Sequence, residues 1–293
     1  MSAEPGAARL FDLGYRGYDG HRERPGRAIP TLAAFSARRV LGLGRGARHK
    51  VLPAITLVIA FLPALVSVAF SVILEDLPID DLISYGEYTF ISGSALALFT
   101  SLIAPEALCP DRRSGLLGLY LAGPLDRNRY LVSKGMAVFA VMLLITVGPL
   151  LFMLTAFVLA GHGPVAGDAP VLLLRIVASG TVTALLYASL SMAVSSFTTR
   201  RAAAAVATIL LLFVPVSVVR SAIESTGAPN ALDLLSFPFV VADLSYRIFG
   251  ETSDDGAPVE ALSTAVVAGG VAAAIVAGFL VCWLRYRRLE AFR

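Results

Sequence analysis

The side chains in this chain best able to do chemistry are charged groups set close to apolar runs, and their spacing suits docking rather than bond-making. Between Cys109 and Lys134 the order is Asp111-Arg112-Arg113, then Leu116, Leu117, Leu119, Tyr120 and Leu121, then Pro124, Asp126, Arg127, Tyr130 and Lys134. The apolar run is too short to cross a bilayer and is charged on both flanks. A short helix lying along a membrane, or docked on a partner, would satisfy both features. Arg and Tyr are favoured interface anchors. Glu106, directly after Pro105, is expected to hold Arg112 or Arg113 in an ion pair, with a proton relay as the alternative.

Nothing in the sequence supports catalysis or a cofactor. His21, His49 and His162 lack metal-ligand spacing. Cys109 and Cys282 read as free thiols on a reducing side of the membrane. The phosphate-binding pattern Gly-x-x-x-x-Gly-Lys-Ser/Thr is absent: Lys134 lies between Ser133 and Gly135, and the stretch Gly42-Leu43-Gly44-Arg45-Gly46 has no lysine. No metal site, nucleic-acid partner or ATP hydrolysis by this chain is expected.

These residues must be positioned by membrane-spanning helices. Of 293 residues, 57% are hydrophobic and 15% charged, too few charges to cover a soluble surface. Six apolar blocks are long enough to span a bilayer: residues 51–74, 88–108, 135–160, 171–197, 202–219 and 261–284. Pro53, Pro63, Pro149 and Pro215 lie inside them, as membrane helices tolerate. Of the 24 Lys and Arg, 21 lie in residues 1–50, 109–134, 198–201 and the tail beyond 284. The connections after blocks one and five are acidic. Basic loops stay in the cytoplasm, so both termini are expected there. The fold class is all-α, a polytopic six-helix membrane protein. Its parts are a cytoplasmic arm (1–50), a transmembrane domain (51–284) with an internal connection at 109–134 and an external loop at 224–260, and a basic tail (285–293).

Within the arm, residues 9–27 are polar and rich in Gly and Arg. From Pro30 to Gly44 the pattern around Leu32, Phe35, Arg38 and Arg39 predicts an amphipathic helix, its apolar face in the acyl boundary and its arginines among anionic lipid head groups. A disordered basic arm is the alternative. Arg175, about one turn inside the outer end of the fourth block, would either snorkel to the interface or contact substrate or a partner in the cavity. Phe237, Phe239, Tyr246 and Phe249 predict one or two short helices on the outer leaflet, capping the path, or an ordinary aromatic-belted loop. Ala265, Gly269, Ala273 and Ala277 form a small-residue stripe for helix packing within or between subunits.

Two stretches resemble the membrane subunits of ABC-2-type ATP-binding-cassette exporters. One is Gly14-Tyr15-Arg16-Gly17-Tyr18-Asp19-Gly20 with the basic amphipathic helix after it. The other runs from Ala104-Pro105-Glu106 through Asp111-Arg112-Arg113-Ser114-Gly115, Leu119-Tyr120-Leu121 and Pro124-Leu125 to Arg127, Tyr130 and Lys134. The resemblance implies that Glu106, Asp111, Arg112, Arg113, Leu119, Tyr120, Pro124, Arg127 and Tyr130 belong to a coupling helix that meets a separate nucleotide-binding ATPase subunit. It makes Phe35, Arg38 and Arg39 part of an elbow helix. It implies an exporter in the cell membrane, built from two such subunits, identical or related. A secondary transporter or channel would need deep carboxylates or an inverted repeat, and a membrane enzyme would need convergent intramembrane histidines. A non-transporting scaffold that binds an ATPase shares every feature above.

Overall fold

The computed structural model describes residues 25–44, 46–73, 84–121, 125–161, 163–164, 167–252 and 258–288. The Gly14–Gly20 motif and Pro124 lie outside them. The described residues form ten α-helices joined by turns and short 3-10 segments. Six are long and apolar enough to cross a membrane: α2 (Arg48–Ile73), α4 (Gly93–Arg113), α6 (Arg127–Leu159), α7 (Ala169–Ser195), α8 (Arg201–Thr226) and α10 (Thr264–Arg287). The others are α1 (Ala28–Val40), α3 (Tyr85–Ile91), α5 (Leu116–Leu121) and α9 (Phe237–Phe249). The bundle has a basic end, with α1, α5 and the 196–201 connection, and an acidic end, with α3 and α9.

α7 is the hub, packed against α4, α6, α8, α9 and α10. Its buried positions are mostly small: Ser179, Gly180, Thr183, Ala184, Ala188, Ser189 and Ser191. Helices in lipid gain nothing from hiding apolar surface from lipid, so close backbone approach is what holds them together. At Gly180 an added Cβ would collide with Val147 of α6, and at Gly278 of α10 it would lie 2.8 Å from the backbone carbon of Ser189. Thr146 donates to the carbonyls of both Met142 and Gly180, at 3.0 and 2.9 Å, joining α6 to α7.

The structure orients one sequence feature and shifts the start of another. The small-residue stripe of α10 does not face the bundle: Ala265, Gly269, Ala273 and Ala277 are exposed, while Val267, Val271, Gly278 and Cys282 face inward. Four-residue spacing identified a smooth face but not which way it turns. The third span also begins earlier than its apolar block, at Arg127, where the Asp126 side chain accepts from the Arg129 amide at 2.7 Å and caps the helix. With 33 residues, α6 is about 50 Å long and projects past a hydrocarbon core of roughly 30 Å.

The acidic end is held by complementary helix caps. Ser84 starts α3, accepting from the Glu87 amide at 3.1 Å. Glu251 places its carboxylate at the same terminus, 2.6 Å from the Ser84 hydroxyl and 2.9 Å from the Gly86 amide. Arg175 donates to the carbonyl of Phe249 at the C-terminus of α9. An anion thus meets one helix N-terminus and a cation one C-terminus, each countering the local dipole. The arginine, itself exposed, thereby ties the start of α7 to the end of α9. α9 is likewise no surface helix: Val240, Val241, Leu244, Ser245 and Tyr246 are buried. The Ser245 hydroxyl lies 3.0 Å from that of Thr89 and 2.8 Å from that of Ser179. Asp243 and Arg247 pair at 2.7 Å, one helical turn apart. Burial pushes the Asp243 carboxyl above its usual range against the pull of Arg247.

Candidate functional site: the basic end

A helix forms where the sequence predicts one, over Ala28–Val40, but its apolar face packs on α4 and α6 rather than turning to lipid. Pro30 falls in the first turn, where its missing N–H costs nothing. The helix ends at glycine: Gly42 adopts φ 71°, and the amides of Leu43 and Gly42 return to the carbonyls of Arg38 and Arg39 at 2.8 and 3.1 Å. This is the paired bonding of a Schellman cap. Leu32, Ala33, Ser36 and Val40 face α4 and α6, while Phe35 is 62% exposed and Arg38 points outward with it.

Asp111, at the end of α4, is fully buried. It takes three donors: Lys134 Nζ of α6 at 2.6 Å, Arg39 Nη1 of α1 at 3.1 Å and the Tyr130 hydroxyl of α6 at 3.1 Å. Lys134, 1% exposed, also donates to the Ser36 hydroxyl of α1 at 3.0 Å. Glu106, one turn and a half before Asp111, pairs with Arg39 at 3.8 Å and with Arg201 at the start of α8. The acid expected to hold Arg112 or Arg113 therefore holds α1 and α8. Arg112 instead donates to the carbonyls of Ser196 and Thr198, just past the end of α7. A cation there meets the negative end of the helix.

An aromatic plate lies beside these charges. Tyr120 of α5, Tyr130 of α6 and Tyr286 of α10 follow one another at ring-centroid distances of 5.8 and 6.0 Å. Burial, with Asp111 nearby, pushes the Tyr120 phenol up. Arg127 donates to the carbonyl of Arg287 at 2.9 Å, joining α6 to α10. Arg113 is exposed. The Leu119 backbone lies in α5, but its side chain is outside the described residues.

The sequence-predicted residues thus divide. Glu106, Asp111, Arg112, Arg39 and Tyr130 are brought together as an internal brace, while Arg113, Arg38 and Phe35 remain outward. Tyr120 is half-buried between the two groups. Arg175 sits apart, at the acidic end. Ser36, Lys134, Arg201 and Tyr286 complete the brace and were not singled out as site residues. For Ser36 the signal was there, one helical turn before Arg39 on a face that should have been apolar.

Among the described residues no group of three His, Cys, Asp or Glu side chains is gathered for a metal ion. The arrangement binds helices to one another and leaves a short helix on top, which suits a mechanical contact. Residues 58–291 match the family described as ABC-2 family transporter protein. The chain belongs to that family. The match takes in five of the six spanning helices completely and most of α2. It identifies an ABC-2-type membrane permease, and the basic end described above lies within the matched region apart from α1. No curated protein matches the sequence.

Proposed function

We propose that this permease forms the translocation path of an ATP-driven exporter and receives its drive from a separate ATPase subunit docked on the 109–134 connection. Two permease chains, identical or related, dock two ATPase subunits. Both termini and the basic end face the cytoplasm at the cell membrane, with α1 as the elbow and α5 as the coupling helix. One observation carries this reading: α5 sits between Arg113 and Arg127 directly over a brace that joins α1, α4, α6 and α8. A displacement of α5 by a rotating partner reaches four helices through ion pairs and rigid segments rather than through loop. The orientation is supported by 21 of 24 basic residues falling on this side.

Arg113 gives the clean test, because Arg112 and Arg127 also hold internal carbonyls. The tagged chain, purified from its native membranes, is expected to retain an ATP-hydrolysing subunit. Arg113→Glu, a change at an exposed position, is expected to reduce the retained ATPase activity at least tenfold without loss of folded permease. Full retention by that variant would refute docking at α5.

A further inference from the structure

We infer that a groove between α6, α7 and α10 at the basic end holds one acyl chain of an anionic phospholipid from the adjoining leaflet. The lipid phosphate would lie at Arg127 and Arg287. The inference needs only the membrane placement of the bundle and does not rest on the ATPase.

The groove is a cavity of about 470 Å³, within the roughly 300–1,000 Å³ typical of small-molecule sites. Its walls are apolar: Leu131, Met136 and Phe139 of α6, Met192 of α7 and Phe279 of α10. From Asn128 at the mouth to Phe139 the lining follows α6 for about 16 Å, along the helix axis and so across one leaflet. The polar groups are gathered at the mouth, where Trp283 Nε1 donates to Asn128 Oδ1 at 3.0 Å. Tryptophan at that depth marks the head-group level. Polar at the rim and apolar below, the groove repeats the polarity of a phospholipid, while a water-soluble ligand would find no polar partner in its depth.

Charge selects the class of lipid. The Arg287 guanidinium lies over the Trp283 ring at 4.6 Å, Arg127 reaches the Arg287 carbonyl, and Arg288 is exposed beside them. The nearby acid, Asp126, is turned to the Arg129 amide. Phosphate is the natural complement of such a group. The methionines at the wall are adaptable fillers suited to a flexible chain.

Trp283 is the only tryptophan of the chain, so its fluorescence reads this groove alone. The full chain is reconstituted in bilayer nanodiscs with a minor, fixed fraction of lipid brominated along its acyl chains. Brominated phosphatidylglycerol is expected to quench Trp283 at least twofold more than brominated phosphatidylcholine at equal fraction. At Gly135 an added Cβ meets only Met192 side-chain atoms, at 3.8 and 3.9 Å, so Gly135→Leu fills the groove from its wall. That variant should abolish the preference, as should Arg127→Gln with Arg287→Gln, which removes the two charges at the mouth and leaves the apolar walls intact. Equal quenching by both lipids in the unmodified chain overturns the proposal, since it reports annular contact only. A preference undiminished in both variants overturns it too. Quenching that ignores the head group yet is relieved by a soluble amphiphile would assign the groove to cargo, and the lipid proposal fails.

Discussion

Substituting Lys134 by Met removes one charge from a brace whose other members stay in place. The structure sets the size of the effect. Asp111 is fully buried and receives three donors, the closest of them Lys134 at 2.6 Å. Breaking a buried ion pair by removing one partner costs about 3–5 kcal/mol, because the other charge stays desolvated. Arg39 and Tyr130 still serve Asp111, which puts Lys134→Met near the lower bound, about 3 kcal/mol. Asp111→Asn strands the buried ammonium beside Ser36 and should cost a similar amount. Removing both charges leaves Arg39 with Glu106, so the double variant should lie below the sum of the singles by roughly 2–3 kcal/mol. The assay is SDS titration of the protein in mixed micelles, with Trp283 fluorescence reporting the folded fraction. If Lys134→Met unfolds within about 0.5 kcal/mol of the unmodified chain, as a surface change would, the brace is not a buried ion pair. Strictly additive single variants would refute the coupling just as firmly.

Other consequences test the packing and the caps. Gly278→Ala drives a methyl into the Ser189 backbone and should cost about 1–3 kcal/mol in the same titration, whereas Gly269→Ala, with open space around it, should stay within about 0.5 kcal/mol. Arg175→Leu removes the charge at the C-terminus of α9 and should lower its stability by up to about 2 kcal/mol, seen as faster amide exchange in the last turn of that helix. Ser245→Val leaves the Thr89 and Ser179 hydroxyls without their shared partner and should cost about 1–3 kcal/mol. Burial, with Glu251 nearby, pushes the Tyr85 phenol up from 10.0 to about 12. The folded chain keeps that proton after the unfolded chain has lost it, so this contribution is complete below pH 10 and fades as pH rises toward 12. Tyr85→Phe should flatten the fall in stability across that window.

Much of the molecule was legible along the chain. Length and hydropathy found the six spans, because a bilayer demands a fixed apolar length whatever the neighbours do. The break near α5 was legible for the same reason, its apolar run being too short to cross. The α1 helix could be read from its period, its proline in the first turn and its glycines at the end, all local devices. What failed was partner choice. Glu106 and Arg112 are close in sequence, yet on a helix they turn to different neighbours, one to Arg39 and Arg201, the other to the end of α7.

The sequence by itself determined the membrane class, the number of spanning helices and the concentration of basic residues at one end, because those follow from composition and length. It also placed the residues of the 109–134 connection in one region. Only the tertiary structure decided which charges became internal. Asp111 and Lys134 are 23 positions apart, and Arg39 is 72 positions from Asp111. Burial and pairing depend on which helix faces meet, and each helix can be rotated by a single turn of packing without altering its hydropathy. That rotation made the basic end an ion-paired brace beneath an exposed Arg113, and it turned the smooth stripe of α10 away from the bundle.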